Sequence, residues 1–341
     1  MKSPKFKWYI YFGFGVLFLF FFYYRELIAY GLNAGFGQAK ILFFAQKNQV
    51  ALNSKKWSSE EKRKIKLIQD VKIFAVNELG LIDNGNYESI YDQQGKPLVW
   101  VVTACKPYAF EEKKWHFPFV GNLSYKGFFN WQDANHESIN LKKQGWETGI
   151  GKVSGWSTLG WFKDPILSSM LSKEDGNLVA LIIHEMVHGT IYLGNNVEFS
   201  ENIADFIGNK GAQLYFKSKK LKHSEKEFNS TLQADLLMNS YYLSWKDSLN
   251  HIYKTSPPSQ LESQKRNTIR NIYQGIFKLP ISKERKAKEL RNAKWLYLEG
   301  NDFLMSYVRY GNLQDSLEDV YRHTFNNNIN RFIEVIKTQQ H

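Results

Sequence analysis

A chain of 341 residues with 43% apolar and 16% aromatic content is long enough to bury a large core and too aromatic for whole-chain disorder. Its single cysteine, Cys105, excludes an internal disulfide and any Cys-rich metal cluster. The net charge of +12 draws on lysine-rich stretches at 210–226 and 278–296. Acids are interleaved there as on ordinary exposed helices, and no nucleic-acid module pattern appears, so no nucleic-acid partner is expected.

The first segment, 1–25, holds 17 residues without a charge, from Trp8 to Tyr24. Aromatics lie at both edges, and Lys2, Lys5 and Lys7 precede the run. This pattern predicts a single transmembrane anchor with the N-terminus in the cytoplasm and the rest of the chain outside. The alternative is a cleaved signal peptide followed by secretion. The bulky end Phe22-Tyr23-Tyr24 fits that less well, because cleavage sites need small residues.

After the anchor, 26–341 reads as one domain in three sections. The section 26–95 is helical. "SSEEKRKIKLIQDVKIFAVNELG" is its best amphipathic helix, with Ser58 or Ser59 as cap, acids in the first turn and Gly80 as the stop. The section 96–165 contains sheet: "PLVWVVTACK", "FPFVGNLSYKGFF" and "GIGKVSGWSTLGWF" read as strands, and "NWQDANHESINLKKQG" between them as a helix ending near Gly145. From 166 to 341 the pattern is helical, punctuated by Pro257, Pro258 and Pro280. The fold class this predicts is α+β, with one small mixed or partly antiparallel sheet and a predominantly helical C-terminal half.

The chemistry concentrates in "LVALIIHEMVHGTIYLGNNVEFSENIADF", Leu178 to Phe206. A helix beginning near Asn177 places His184 and His188 at i and i+4, on one face. Two neutral imidazoles at that spacing can share one zinc ion, and the flanking Glu185 can reach a water at the metal as general base. The surrounding apolar residues predict a buried helix, where polar groups are costly unless paired or ligating. A third ligand is needed. Glu201 supplies it, on a second short helix capped by Ser200, with Glu198 in the preceding loop as its rival. Asp205, one turn further, can accept the free ring N–H of a ligating histidine and fix its tautomer.

H-E-x-x-H followed by E-x-x-x-D resembles the gluzincin arrangement of thermolysin-like peptidases. More closely, the chain resembles a bacterial membrane-associated family of predicted aminopeptidases. The likeness rests on "AYGLNAGFGQAKIL", "FPFVGNLSYKGFF", "GWSTLGWFKDPILSSML", "LIIHEMVHGTIY" and "FSENIADF", in order over about 30–216. The sequence departs from the family pattern in three ways. An apolar run replaces a lipid-modified cysteine, Asn202 replaces a commoner Ser, and Asp205 stands where Thr is frequent.

The resemblance implies a zincin-like domain, one zinc per chain held by His184, His188 and Glu201, and Glu185 as catalytic base. In a bacterium the anchor would sit in the inner membrane with the domain in the periplasm. The resemblance also implies a peptide-binding edge strand just before the zinc helix, at Gly155, Trp156, Ser157 and Thr158. An oxyanion donor is expected among Tyr192, Tyr310 and His251. The function expected is a membrane-anchored zinc peptidase acting on peptides or proteins, with aminopeptidase specificity implied by the family. The alternatives are a zinc endopeptidase with the same site and a noncatalytic zinc-binding scaffold.

Overall fold

The computed structural model describes residues 24–117, 121–152, 163–191 and 196–338, together with Tyr11. It divides into two units, 1–45 and 46–341. The described part of the first is essentially one helix, α1 (Arg25–Phe44), with Leu32, Phe36, Phe43 and Phe44 exposed.

The anchor expected over 1–25 lies outside the described residues, apart from Tyr11, Tyr24 and Arg25. Among the described residues no helix is long and apolar enough to cross a membrane. Helix α1 fails because Arg25, Asn33, Gln38 and Lys40 interrupt its apolar residues. The expected fold class with an N-terminal membrane helix is corrected accordingly.

The second unit begins with β1 (Gln46–Lys47), α2 (Asn48–Asn53) and α3 (Ser59–Leu79). Local chemistry fixes both ends of α3. Ser58 Oγ accepts from the backbone N–H of Glu61, and the Glu61 carboxylate accepts from that of Ser58, closing a capping box. Gly80 then ends the helix at φ 65°, a left-handed conformation that glycine adopts at little cost.

The strands follow: β2 (Ser89–Tyr91), β3 (Trp100–Cys105), β4 (Trp115–Phe117), β5 (Gly121–Leu123) and β6 (Tyr125–Phe128). After α4 (Trp131–Lys143), which Asn130 caps, come β7 (Glu147–Lys152) and β8 (Ile166–Leu167). They form three small sheets, not the single sheet predicted. Strands β6, β3 and β7 pair antiparallel in that order, and β4 and β5 form a two-stranded ribbon. The mixed sheet joins β1 antiparallel and β8 parallel to β2. Its edge strands stop after two residues because a helix begins at Asn48 and a 3₁₀ turn at Ser168.

Eight helices complete the described chain: α5 (Asp175–His188), α6 (Val197–Ser218), α7 (Lys222–Thr255), α8 (Pro258–Ile276), α9 (Lys283–Glu299), α10 (Asn301–Gly311), α11 (Gln314–His323) and α12 (Ile329–Thr338). Among the described residues 67% are helical and the sheets are small, so the α+β expectation gives way to a mainly helical fold.

Helix α5 is apolar on nearly every side because helices surround it. Leu178, Val179, Ile182 and Ile183 are fully buried in a core shared with α3, α6 and α12. Each such side chain contributes about 1.5–3 kcal/mol relative to exposure. A second core joins α7 to α10 through Met238, Tyr242, Ile272, Leu296 and Leu304.

Two glycines set the α5–α6 spacing. A Cβ on Gly208 would meet the Ala180 carbonyl oxygen at 2.8 Å and the His184 Cβ at 3.3 Å. One on Gly211 would meet side-chain atoms of both Ile183 and Leu79 at 2.9 Å. Their bare Cα atoms let the two helices approach where the polar residues lie.

Candidate metal centre

His184 and His188 occupy the last turns of α5, and their Nε2 atoms lie 3.0 Å apart. From α6, the Glu201 carboxylate faces both, 3.4 Å from His184 Nε2 and 3.6 Å from His188 Nε2. The three side chains are 12%, 13% and 18% exposed, so little water is available to solvate any charge they carry. Their ligand atoms all fall within 4.8 Å of one another and could hold a metal ion.

The other ring nitrogens explain why these two converge. Asp205 Oδ1 lies 2.7 Å from His184 Nδ1, which places the ring proton on Nδ1 and leaves Nε2 with a lone pair. Ser200 Oγ stands 3.4 Å from His188 Nδ1. Two ring nitrogens and a carboxylate then point at one small volume and repel unless a cation lies between them.

The titration properties carry the same demand. Burial opposes a charge on His184, yet Asp205 and Glu201 outweigh it and raise its pKa well above the ordinary imidazole value. Burial also opposes a charge on Glu201, but the two histidines overcome it and hold the carboxyl down at about 2. In both cases a proton stands in for the cation that the cluster favours. The donor set, two imidazole nitrogens and one carboxylate, suits zinc with a position left open. Among the described residues no fourth His, Cys, Asp or Glu joins the trio.

Glu185 lies on the flank of α5, and burial raises its pKa, with the nearby histidines acting in the opposite direction. Tyr87, which sequence reasoning missed, is near it. Its phenol is buried and pushed well above its ordinary pKa by burial first and then by Glu185 and Asp164. Its backbone sits at φ 64°, rare for a bulky residue, and is pinned by bonds to the Asp164 carbonyl and from Asn48 Nδ2, both 2.7 Å. No local sequence signal marks that conformation.

Helix α6 departs from expectation. It runs for 22 residues, not as a short segment, and its cap is Asn196, whose side chain accepts from the Phe199 N–H. Glu198 therefore lies in the first helical turn and not in a loop, and Glu201 is the acid that joins the histidines.

Asn202 proves to be a fully buried junction. Its amide donates to the carbonyls of Glu198 and Arg309, at 2.8 and 2.9 Å, and its Oδ1 accepts from the Leu313 N–H and from Gln314 Nε2. It locks α10 onto α6 and so brings Tyr310 alongside the trio. Tyr310 is 43% exposed, and its phenol is held above the ordinary tyrosine pKa by partial loss of hydration first, with further contributions from Glu201 and Asp205. Of the other two oxyanion candidates, His251 is exposed near the end of α7 and makes no described contact with the trio, and Tyr192 lies outside the described residues. Gly155, Trp156, Ser157 and Thr158, expected to bind substrate, also lie outside them.

Comparison with known proteins places the chain in a class. The model of a family described as "Putative aminopeptidase" matches residues 29–341, nearly the whole chain, and the protein belongs to that family. The family description suggests a peptidase. Neither the curated proteins nor the solved structures yielded a match.

Proposed function

We propose that this protein is a zinc-dependent peptidase acting on peptide substrates, with aminopeptidase specificity. The observation that carries the reading is the convergence of His184, His188 and Glu201 on one point beside Glu185. These three residues would hold the ion. When bound, zinc supplies Lewis acidity toward a water and toward the scissile carbonyl.

The chain's own groups do the rest. Asp205 keeps the His184 ring proton on Nδ1, so that Nε2 is always the ligating nitrogen. Glu185, whose carboxylate burial makes a stronger base by raising its pKa, takes a proton from the attacking water and delivers it to the leaving amine. Tyr310 donates its hydroxyl hydrogen to the carbonyl oxygen as negative charge develops there.

A base beside an incomplete ligand set supports catalysis over a noncatalytic scaffold, because a structural zinc site is closed by four protein ligands and needs no base. The test is the zinc content of the purified protein, together with hydrolysis of peptide libraries bearing free and blocked amino ends. Stoichiometric zinc with hydrolysis is the result expected. Metal-free protein, or zinc-loaded protein that cleaves no peptide, overturns the reading.

A further inference from the structure

A pocket of about 360 Å³ lies along the turn of α6 that precedes Glu201 and along the stretch of α10 that precedes Tyr310. Asn196, the cap of α6, and Glu198 in its first turn line it on one side, Met305 and Arg309 from α10, and Glu112 and Lys114 from the chain before β4.

The charges in this pocket are unequally satisfied. Arg309 Nη2 donates to Glu112 Oε1 at 2.6 Å, with both side chains nearly buried, at 10% and 13% exposure. Lys114 Nζ donates to the other Glu112 oxygen at 3.1 Å and to Ser124 Oγ at 3.0 Å. Both cations are thus directed at Glu112. Glu198 differs. Its Oε1 accepts only from the neutral amide of Asn312, at 3.0 Å, and no basic side chain among the described residues pairs with it. Of the two carboxylates that line the pocket, Glu198 is thus the one that no cation among the described residues bonds.

A cation from the substrate fits that vacancy, and geometry selects which one. Glu198 and Glu201 are three residues apart on one helix, which puts their Cβ atoms about 5–6 Å apart. The α-amino nitrogen of a peptide's first residue lies about 2.5 Å from the carbonyl carbon that reacts. A first residue with its carbonyl at the Glu201 site would thus bring its ammonium within reach of Glu198. Its side chain would lie against Met305. The volume is near the lower end of the range for ligand sites.

We infer that Glu198 receives the free α-ammonium of the substrate's first residue and so makes the enzyme an exopeptidase. This rests on the zinc-peptidase reading above.

The test uses the full-length zinc-loaded protein and two peptides that differ only in N-acetylation. Wild type should prefer the free peptide. Glu198→Gln should lower kcat/KM on that peptide by roughly 10- to 100-fold, chiefly through KM, and shrink the free-to-blocked ratio in step. Zinc content should be unchanged. Independently of any variant, replacing the substrate amine by hydrogen should cost wild type a similar factor, and should cost Glu198→Gln little more. An unaltered free-to-blocked ratio in Glu198→Gln, or wild type cleaving both peptides equally, overturns this role and leaves the zinc peptidase standing. Zinc-loaded wild type that cleaves neither peptide overturns both.

Discussion

Gly208 of α6 lies flat against His184 of α5, close enough that a Cβ there would meet the His184 Cβ at 3.3 Å and the Ala180 carbonyl oxygen at 2.8 Å. The second contact is with helix backbone, which cannot move aside cheaply. Gly208→Ala should therefore push the helices apart, destabilise the protein by about 1–3 kcal/mol, and shift Glu201 relative to the histidines. Thermal melting and zinc affinity, measured together, should both fall. Retained zinc affinity in a stable variant would show that the spacing at Gly208 does not govern the site.

Glu185→Gln keeps shape and hydrogen-bonding capacity but removes the basic oxygen. Turnover should drop roughly 100- to 10,000-fold with zinc still bound at stoichiometry. Metal analysis beside steady-state kinetics checks this. Wild-type activity in the variant would exclude Glu185 as the base.

Tyr310→Phe removes one hydroxyl and leaves the packing of α10 intact. If the phenol steadies the developing oxyanion, kcat should fall about 100- to 1,000-fold, with little change in KM or zinc content. An unchanged kcat would remove Tyr310 from the reaction.

The fully buried Asn202 of α6 bonds the Arg309 carbonyl of α10 and, at the start of α11, the Leu313 N–H and the Gln314 amide. Asn202→Ala should leave several of those partners unpaired, each costing about 1–3 kcal/mol. A large drop in Tm is expected, along with a loss of kcat in whatever folds. Wild-type melting behaviour would contradict the junction role.

A separate pair of acids sets a pH dependence of stability. Burial raises Glu299 to about 7, with the nearby Asp302 adding to the effect. Burial likewise raises Asp302 to about 6, even though Thr103 Oγ1 donates to it at 2.6 Å. Both folded values lie above the ordinary carboxyl range, so between roughly pH 4 and 7 the folded state binds more protons than the unfolded chain. That stabilisation is complete at low pH and is lost as pH rises through 6 and 7. With respect to this pair, Tm should be higher at pH 5.5 than at pH 8. Glu299→Gln with Asp302→Asn should flatten the difference, and equal slopes in variant and wild type would refute the assignment.

Much of the local architecture was legible in the sequence, because the signals are local. Ser58, Glu61 and Gly80 delimit α3 through contacts within a few residues, and the i, i+4 spacing of His184 and His188 follows from helix geometry alone. Residues 178–183 announced a buried helix by being apolar on all sides. The sequence by itself thus determined the two-histidine face, the flanking acid and the helical C-terminal half.

Tertiary structure decided what those residues meet. The mixed sheet pairs 46–47 with 89–91 and 166–167, a pairing between distant segments that no local pattern encodes. The strained Tyr87 near Glu185, the glycine contacts that set the α5–α6 distance, and the Asn202 junction all depend on atoms far apart in the chain. Glu198 and Glu201 are both acids near the start of one helix, and spacing alone cannot assign them. They share one side of the helix, and only the packed neighbours tell them apart: Glu201 meets the histidines of α5, while Glu198, one turn earlier, lines the pocket against α10, with the buried Asn202 bonded to α10 beside them.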